Sequence, residues 1–204
     1  MKLFMDENKP LNTCDEKTCN NCDVKSLVSC HFNMKQAMRF LFIAVPSFII
    51  AGIGICLLNY LYIIPWISFI LLYFGLIEIR VMCSHCPHYA EPETKTLKCW
   101  ANYGCLKIWH YRPGPMSLPE KIVFFSGIVI FIYPIIIMAI SQQFIILSLF
   151  VLYIIIGFYL MRKYMCKKCM NFACPLNIVT QETRGKFLKH NSKISEAWNK
   201  TIHK

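Results

Sequence analysis

Two long stretches of this sequence carry no charge. No Asp, Glu, Lys or Arg occurs between Arg39 and Glu78, nor between Lys121 and Arg162, and each gap is about 40 residues. Only 16% of the chain is charged and 56% is apolar, against roughly 25% charged in an ordinary soluble domain. A membrane-spanning helix needs about 20 residues, so each gap predicts two helices joined by a tight turn. The first gap divides between Asn59 and Ile64, giving helices over 38–58 and 62–80. The second divides at Ser141-Gln142-Gln143, giving 121–140 and 144–162. Too little polar chain remains to cover four such segments as a soluble bundle.

Other absences narrow the function. A secretory signal puts its apolar stretch within the first 15–30 residues, but residues 1–35 are polar and contain Asp6, Glu7, Asp15, Glu16 and Asp23. The N-terminal segment is therefore expected to be retained and not exported. No histidine lies in the apolar runs, which leaves no facing pair of axial ligands for a membrane haem. No carboxylate or base lies deep in them to mark a proton or ion path. The nearest is Glu78, one turn inside the boundary, read as an interfacial ion pair with Arg80; the sharper alternative is a proton relay at a quinone site. Walker, G-x-S-x-G and H-E-x-x-H signatures are missing. A net charge of +11 without a nucleic-acid motif predicts no nucleic-acid partner.

Four helices return both termini and the 81–120 loop to one side. All 22 Lys and Arg residues fall there, and the two turns have none. Arg39, Arg80, Lys121, Arg162, Lys163, Lys167 and Lys168 lie close to helix ends, where the positive-inside rule counts them. The charged side is expected to be cytoplasmic, in a multi-pass protein of the cell (inner or plasma) membrane, with anionic headgroups attracting the basic chain.

What the sequence has in abundance is cysteine. Eleven of twelve lie on the charged side, and only Cys56 is inside a helix, as a small packing residue. Cytosolic thiols are kept reduced, so clusters of them read as metal or redox sites. The first group is Cys14, Cys19, Cys22 and Cys30; the second is Cys83, Cys86, Cys99 and Cys105; the third is Cys166, Cys169 and Cys174. Each contains C-x-x-C, a spacing that lets one turn aim two thiolates at one metal centre. His31, His85, His88 and His110 are further candidate ligands, with His85 and His88 read as neighbours of ligands first. The third group has only three cysteines. It is expected to share ligands with the second, because the helices before both end at the same face; an open, reactive centre is the alternative.

Spacing points toward iron–sulfur in two groups. Cys14-x4-Cys19-x2-Cys22 is similar to the plant-type ferredoxin pattern, and Cys166-x2-Cys169-x4-Cys174-Pro175 ends in Cys-Pro as bacterial ferredoxin motifs do, with a longer second interval. The second group would equally suit a small zinc knuckle. In helix count and in Cys86-Pro87 and Cys174-Pro175, the chain resembles the membrane electron-transfer proteins accessory to periplasmic nitrate and nitrous oxide reductases. That family has C-x3-C-P twice, where the intervals here are two and four residues. The resemblance implies electron transfer.

Trp100, Tyr103, Trp109 and Tyr111 argue for an ordered 81–120 loop, with rings at headgroup level or walling a pocket. Phe187, Ile194, Trp198 and Ile202 fall near helical spacings between lysines, which suggests an amphipathic tail helix; a partly disordered basic tail is the alternative. The predicted fold is an all-α polytopic membrane protein of four helices in two hairpins, with a small Cys-rich, metal-stapled cytoplasmic cap. Its divisions are an N-terminal segment over 1–36, a hairpin over 37–80, the loop over 81–120, a hairpin over 121–163, a cysteine motif over 164–176 and a tail over 177–204. The leading functional expectation is a bilayer-bound carrier of one or two iron–sulfur clusters (4Fe-4S or 2Fe-2S), passing electrons to a protein redox partner, membrane complex or quinone. A zinc-stapled scaffold or assembly factor is the second reading. A membrane enzyme with an open metal or thiolate site is the third.

Overall fold

The computed structural model describes residues 9–20 and 22–202. The first eight residues of the N-terminal segment, with Asp6 and Glu7, and the side chain of Ile202 lie outside the described residues. The described chain is helical, with no strand and a single isolated bridge between Thr96 and Leu106. Four helices are long and apolar enough to cross a membrane: α1 (Met34–Leu58), α2 (Tyr60–His85), α3 (Leu118–Ile140) and α4 (Phe144–Lys168). Two shorter ones, α5 (Gln181–Lys189) and α6 (Ser192–Ile202), form the tail.

Local chemistry sets the helix ends. The Asn33 side chain caps α1 by accepting the Lys35 N–H at 2.9 Å. Ser117 and Glu120 start α3, with the Ser117 N–H donated to Glu120 Oε2 at 2.9 Å. The α3–α4 turn is closed by Gln142 at φ 56° and tied to α1 by Gln143 Nε2, which donates to Gly54 O at 3.1 Å. Pro65 lies in the first turn of its regular helical stretch, where its missing N–H costs little, whereas Pro46 and Pro134 are interior.

The helices pack around α1 and α3. Most of the contact made by α1 is with α3 and α4 rather than with α2, its neighbour in sequence. Ala51, Ile55, Trp66, Met138 and Phe150 form the buried centre. Trp66 Nε1 donates to Ile130 O at 2.8 Å, so a buried indole leaves no orphan donor. Gly127 lets α3 lie directly on the Tyr73 ring, where a Cβ would overlap it. The outer faces stay apolar: in the most apolar windows of α2 and α4 only 11% and 6% is buried. That much exposed apolar helix requires a bilayer around it. Cys56 is exposed in an apolar cleft with Gly52 and Ile63, not packed in the centre as expected.

At one end of the bundle the polar segments pack on each other. Leu11, Val24, Val28, Cys86, Met170, Phe187 and Ile194 make one small core from four parts of the chain. Lys9 pairs with Glu93 at 2.8 Å, and the Ser29 N–H donates to Lys168 O at 2.8 Å. Arg112 returns the loop to the end of α2, donating Nη2 to Arg80 O at 2.7 Å.

Replacing Gly127 by Leu is expected to push α3 off Tyr73 and lower stability by about 1–3 kcal/mol. At Gly75 an added Cβ would meet nothing within 4 Å, so this position should accept Ala with no loss. Thermal unfolding in detergent measures both.

Candidate metal centre

Two helices end in the same way. At α2, Met82 sits at φ −117°, ψ −55°, a 3₁₀ turn covers Cys83–His85, and Cys86 leaves extended at φ −77°, ψ 137°. At α4, Met165 sits at φ −117°, ψ −54°, a 3₁₀ turn covers Cys166–Lys168, and Cys169 leaves at φ −75°, ψ 129°. In each, the N–H of the second cysteine donates to the carbonyl of the first, at 2.9 Å and 3.4 Å. Asn171 Nδ2 joins the two knuckles by donating to Met82 O at 3.1 Å. The sequence signal was present as Met-Cys-x-x-Cys, which occurs at both helix ends.

The other sulfurs come from loops. Cys99 and Cys105 flank a turn whose Gly104 takes φ 85° and donates its N–H to Leu97 O at 3.0 Å; only glycine adopts that backbone without strain. Cys174 follows the α4 knuckle, its N–H donated to Asn171 O at 3.2 Å. These segments bring seven sulfurs together. Cys169 is within electrostatic reach of Cys86, Cys99 and Cys174, and Cys86 within reach of Cys99 and Cys174. Cys83 is within electrostatic reach of Cys86 and Cys99, Cys105 of Cys99, and Cys166 of Cys174. No disulfide links the described cysteines.

Backbone donors converge on these sulfurs. The Asn102 N–H donates to Cys99 Sγ at 3.3 Å, and backbone N–H groups of His88, Ala101, Asn171 and Leu176 lie near Cys86, Cys99, Cys169 and Cys174 respectively, favouring their thiolates. Asn102 Nδ2 adds a bond of 3.0 Å to Cys83 Sγ. A neutral thiol is a weak acceptor, so this many aimed N–H groups suit negative sulfur. Burial opposes ionisation. It raises Cys99 to about 11 and Cys174 to about 12, and lifts Cys86 and Cys169 well above the ordinary thiol range. Burial and N–H donors are reconciled when a metal cation replaces the thiol protons.

The N-terminal sulfurs form a second group. Burial raises Cys30 to about 12, and Cys22, Cys19 and Cys14 add to the shift. Cys14, Cys22 and Cys30 pack against the same core that contains Cys86, so the two groups share one core.

The candidate histidines separate. His85 turns toward the loop end, with Nδ1 3.1 Å from Gly114 O and Nε2 3.5 Å from Glu120. His31 Nε2 is 2.9 Å from Lys9 O. His88 is buried near His31; burial first, and then that neighbour, lowers it to about 4, and its Nδ1 has no hydrogen-bond partner. His110 is exposed in an open groove with Tyr89, Lys107 and Trp109. The expected pair of Glu78 with Arg80 is corrected: Arg80 reaches Glu120 at 3.6 Å, while buried Glu78 accepts from Asn102 Nδ2 at 3.3 Å. Residues i and i+2 on a helix do not face each other.

Spacing bears on the kind of centre. Sulfurs on one tetrahedral zinc lie roughly 3.8 Å apart. Among the described residues, the one trio of potential ligand atoms mutually within 4.8 Å is Cys22, Asp23 and His190. The seven sulfurs are thus gathered but spread more widely than a single ion holds its ligands. A polynuclear cluster, with its thiolates on different irons, needs that wider spread. Compared with known proteins, the chain matches no family model, no curated protein and no solved structure.

At pH 8 a thiol of pKa about 11 is ionised in roughly one molecule in a thousand. In metal-free protein, Cys99 and Cys174 should therefore resist iodoacetamide at pH 8, with alkylation rising about tenfold per pH unit up to pH 10. Mass spectrometry of peptides reads this. The metal-free fold should also lose stability as pH rises past the ordinary thiol range, because the unfolded chain ionises first.

Proposed function

We propose that this protein is a membrane-anchored electron carrier, with an iron–sulfur cluster held at the end of the bundle by Cys86, Cys99, Cys169 and Cys174. Cys83, Cys105 and Cys166 stand at its edge as exchange or alternative ligands. The observation that carries the reading is the gathering of seven buried or half-buried sulfurs from three segments, wider than single-zinc spacing and met by backbone N–H groups. A cluster in this place would supply one-electron transfer. The chain's own part is to hold the thiolates, exclude water and set the potential through hydrogen bonds to sulfur and burial. Asn102 serves that tuning from its contacts with Cys83, Cys99 and Glu78.

With every described Lys and Arg at the cysteine end, the positive-inside rule assigns that end to the cytoplasm. The bilayer holds the apolar helices, and electrons pass between a cytoplasmic donor and a membrane protein or quinone.

Anaerobic purification in detergent is expected to give iron with acid-labile sulfide, and a broad visible absorption that bleaches with dithionite. Cys169→Ser should lose that absorption, while Cys56→Ser keeps it. A colourless protein containing zinc and no iron would sink the reading and favour the zinc-stapled scaffold.

A further inference from the structure

The trio at single-ion spacing belongs to neither C-x-x-C knuckle at the helix ends. His190 is at the corner between α5 and α6, and Cys22 and Asp23 come from the N-terminal segment. His190 Nε2 is 2.8 Å from Asp23 Oδ1, and its Nδ1 is 2.9 Å from Glu16 Oε1. We propose that Cys22, Asp23 and His190 bind a single zinc ion that fastens the N-terminal segment to the tail.

Four observations carry this. The three ligand atoms already lie within 4.8 Å of one another, although His190 is 167 residues from Asp23. Glu16 occupies the other ring nitrogen, the arrangement by which metal-bound histidines are oriented through a carboxylate. Thiolate, imidazole and carboxylate together suit zinc, whereas calcium and magnesium take oxygen ligands alone. The corner is also preorganised. Asp15 accepts the Ser192 N–H at 2.7 Å and its hydroxyl at 3.0 Å, the Asp15 N–H donates to His190 O at 2.8 Å, and Thr13 Oγ1 donates to Asn191 Oδ1 at 3.0 Å.

Charge favours a cation here. In a chain of net charge +11 with 11 acidic residues, Asp15, Glu16 and Asp23 converge on this corner. The histidine side chain is 26% exposed, which leaves an entry route and a fourth position for water. Zinc displaces the Nε2 proton and the Cys22 thiol proton, and both leave to solvent. Cys14 and Cys30 are each within electrostatic reach of Cys19 and Cys22, so a competing arrangement is zinc held by those four sulfurs. The proposal stands apart from the iron–sulfur reading, since it concerns different atoms and a different metal.

The test is zinc and iron analysis of the full chain, purified anaerobically in detergent, for the wild type, His190→Ala, Asp23→Asn and Glu16→Gln. A chromophoric chelator titration gives the zinc affinity of each. The wild type is expected to hold one more zinc than His190→Ala, with iron content unchanged between them. Glu16→Gln, which leaves all three ligands in place, should weaken zinc binding about 10–100-fold. Should His190→Ala fail to fold, Glu16→Gln and Asp23→Asn decide the matter alone. Wild-type zinc content and affinity in the variants would overturn the proposal and point to a four-sulfur site. So would a wild type that takes up no zinc from solution. Absence of iron throughout would sink the electron-carrier reading and leave the zinc difference between variants to be read as before.

Discussion

Sulfur buried out of water is the constraint on which this end of the molecule depends. A thiolate out of water needs a cation or donors beside it; Cys99 accepts the Asn102 N–H, and Cys86, Cys169 and Cys174 have backbone N–H groups nearby. Those donors exist because each sulfur sits at a break in regular structure, where N–H groups are left over from the helix ladder. The matched ends of α2 and α4 are therefore more than terminations. An α-helix turns about 100° per residue, so shifting either knuckle by one position would swing its sulfurs away from the others. The equal angles at Met82 and Met165 keep two helices, far apart in sequence, delivering sulfurs to one place.

The cap has little else to hold it. Its largest core has seven buried residues drawn from the N-terminal segment, the loop, the post-α4 turn and both tail helices. None of these pieces buries enough apolar surface to stand alone. The Lys9–Glu93 pair that joins two of them is exposed on both sides, and such a pair contributes roughly 0–1 kcal/mol. The proposed metal ligation would act across the same long sequence separations with greater strength. A cluster joining the loop to the α4 end, and a zinc joining the N-terminal segment to the tail, would together tie all four pieces to the bundle.

Much of this was legible in the sequence, and the physical reasons differ by element. The uncharged runs after Arg39 and after Lys121 showed the four apolar helices, because hydrocarbon leaves no choice about charge. The return of eleven cysteines to one end followed from helix number alone. The meeting of the second and third cysteine groups was expected for the same reason. What could not be read were contacts fixed by three-dimensional closure. Asn102 gave no sign of reaching Cys83, and His190 none of reaching Cys22 and Asp23. The tail was expected as one amphipathic helix, but it breaks at His190-Asn191, where buried Asn191 bonds Phe187 O and Asp15 caps the next helix. That break puts His190 at a corner where it can face the N-terminal segment.

The depth of the sulfurs limits what can exchange electrons with them. Arg80 lies over the Trp109 ring, and Lys163 lies near the rings of Tyr159 and Tyr164. Cations paired with aromatic rings at the ends of apolar helices mark the headgroup level. Trp109 Nε1 reaches back to Leu76 O at 3.3 Å, inside α2. Cys83 follows Arg80 by three residues and Cys166 follows Arg162 by four, a rise of about 5 Å along a helix. Cys83 and Cys166 are therefore within about one helical turn of that headgroup level. The N-terminal segment and tail pack against Cys86 through the core that holds Met170 and Phe187. In the proposed electron carrier a soluble donor would approach across that packing, whereas a membrane-embedded acceptor would approach along the helix ends. For the proposed electron carrier, that asymmetry makes the membrane side the shorter route.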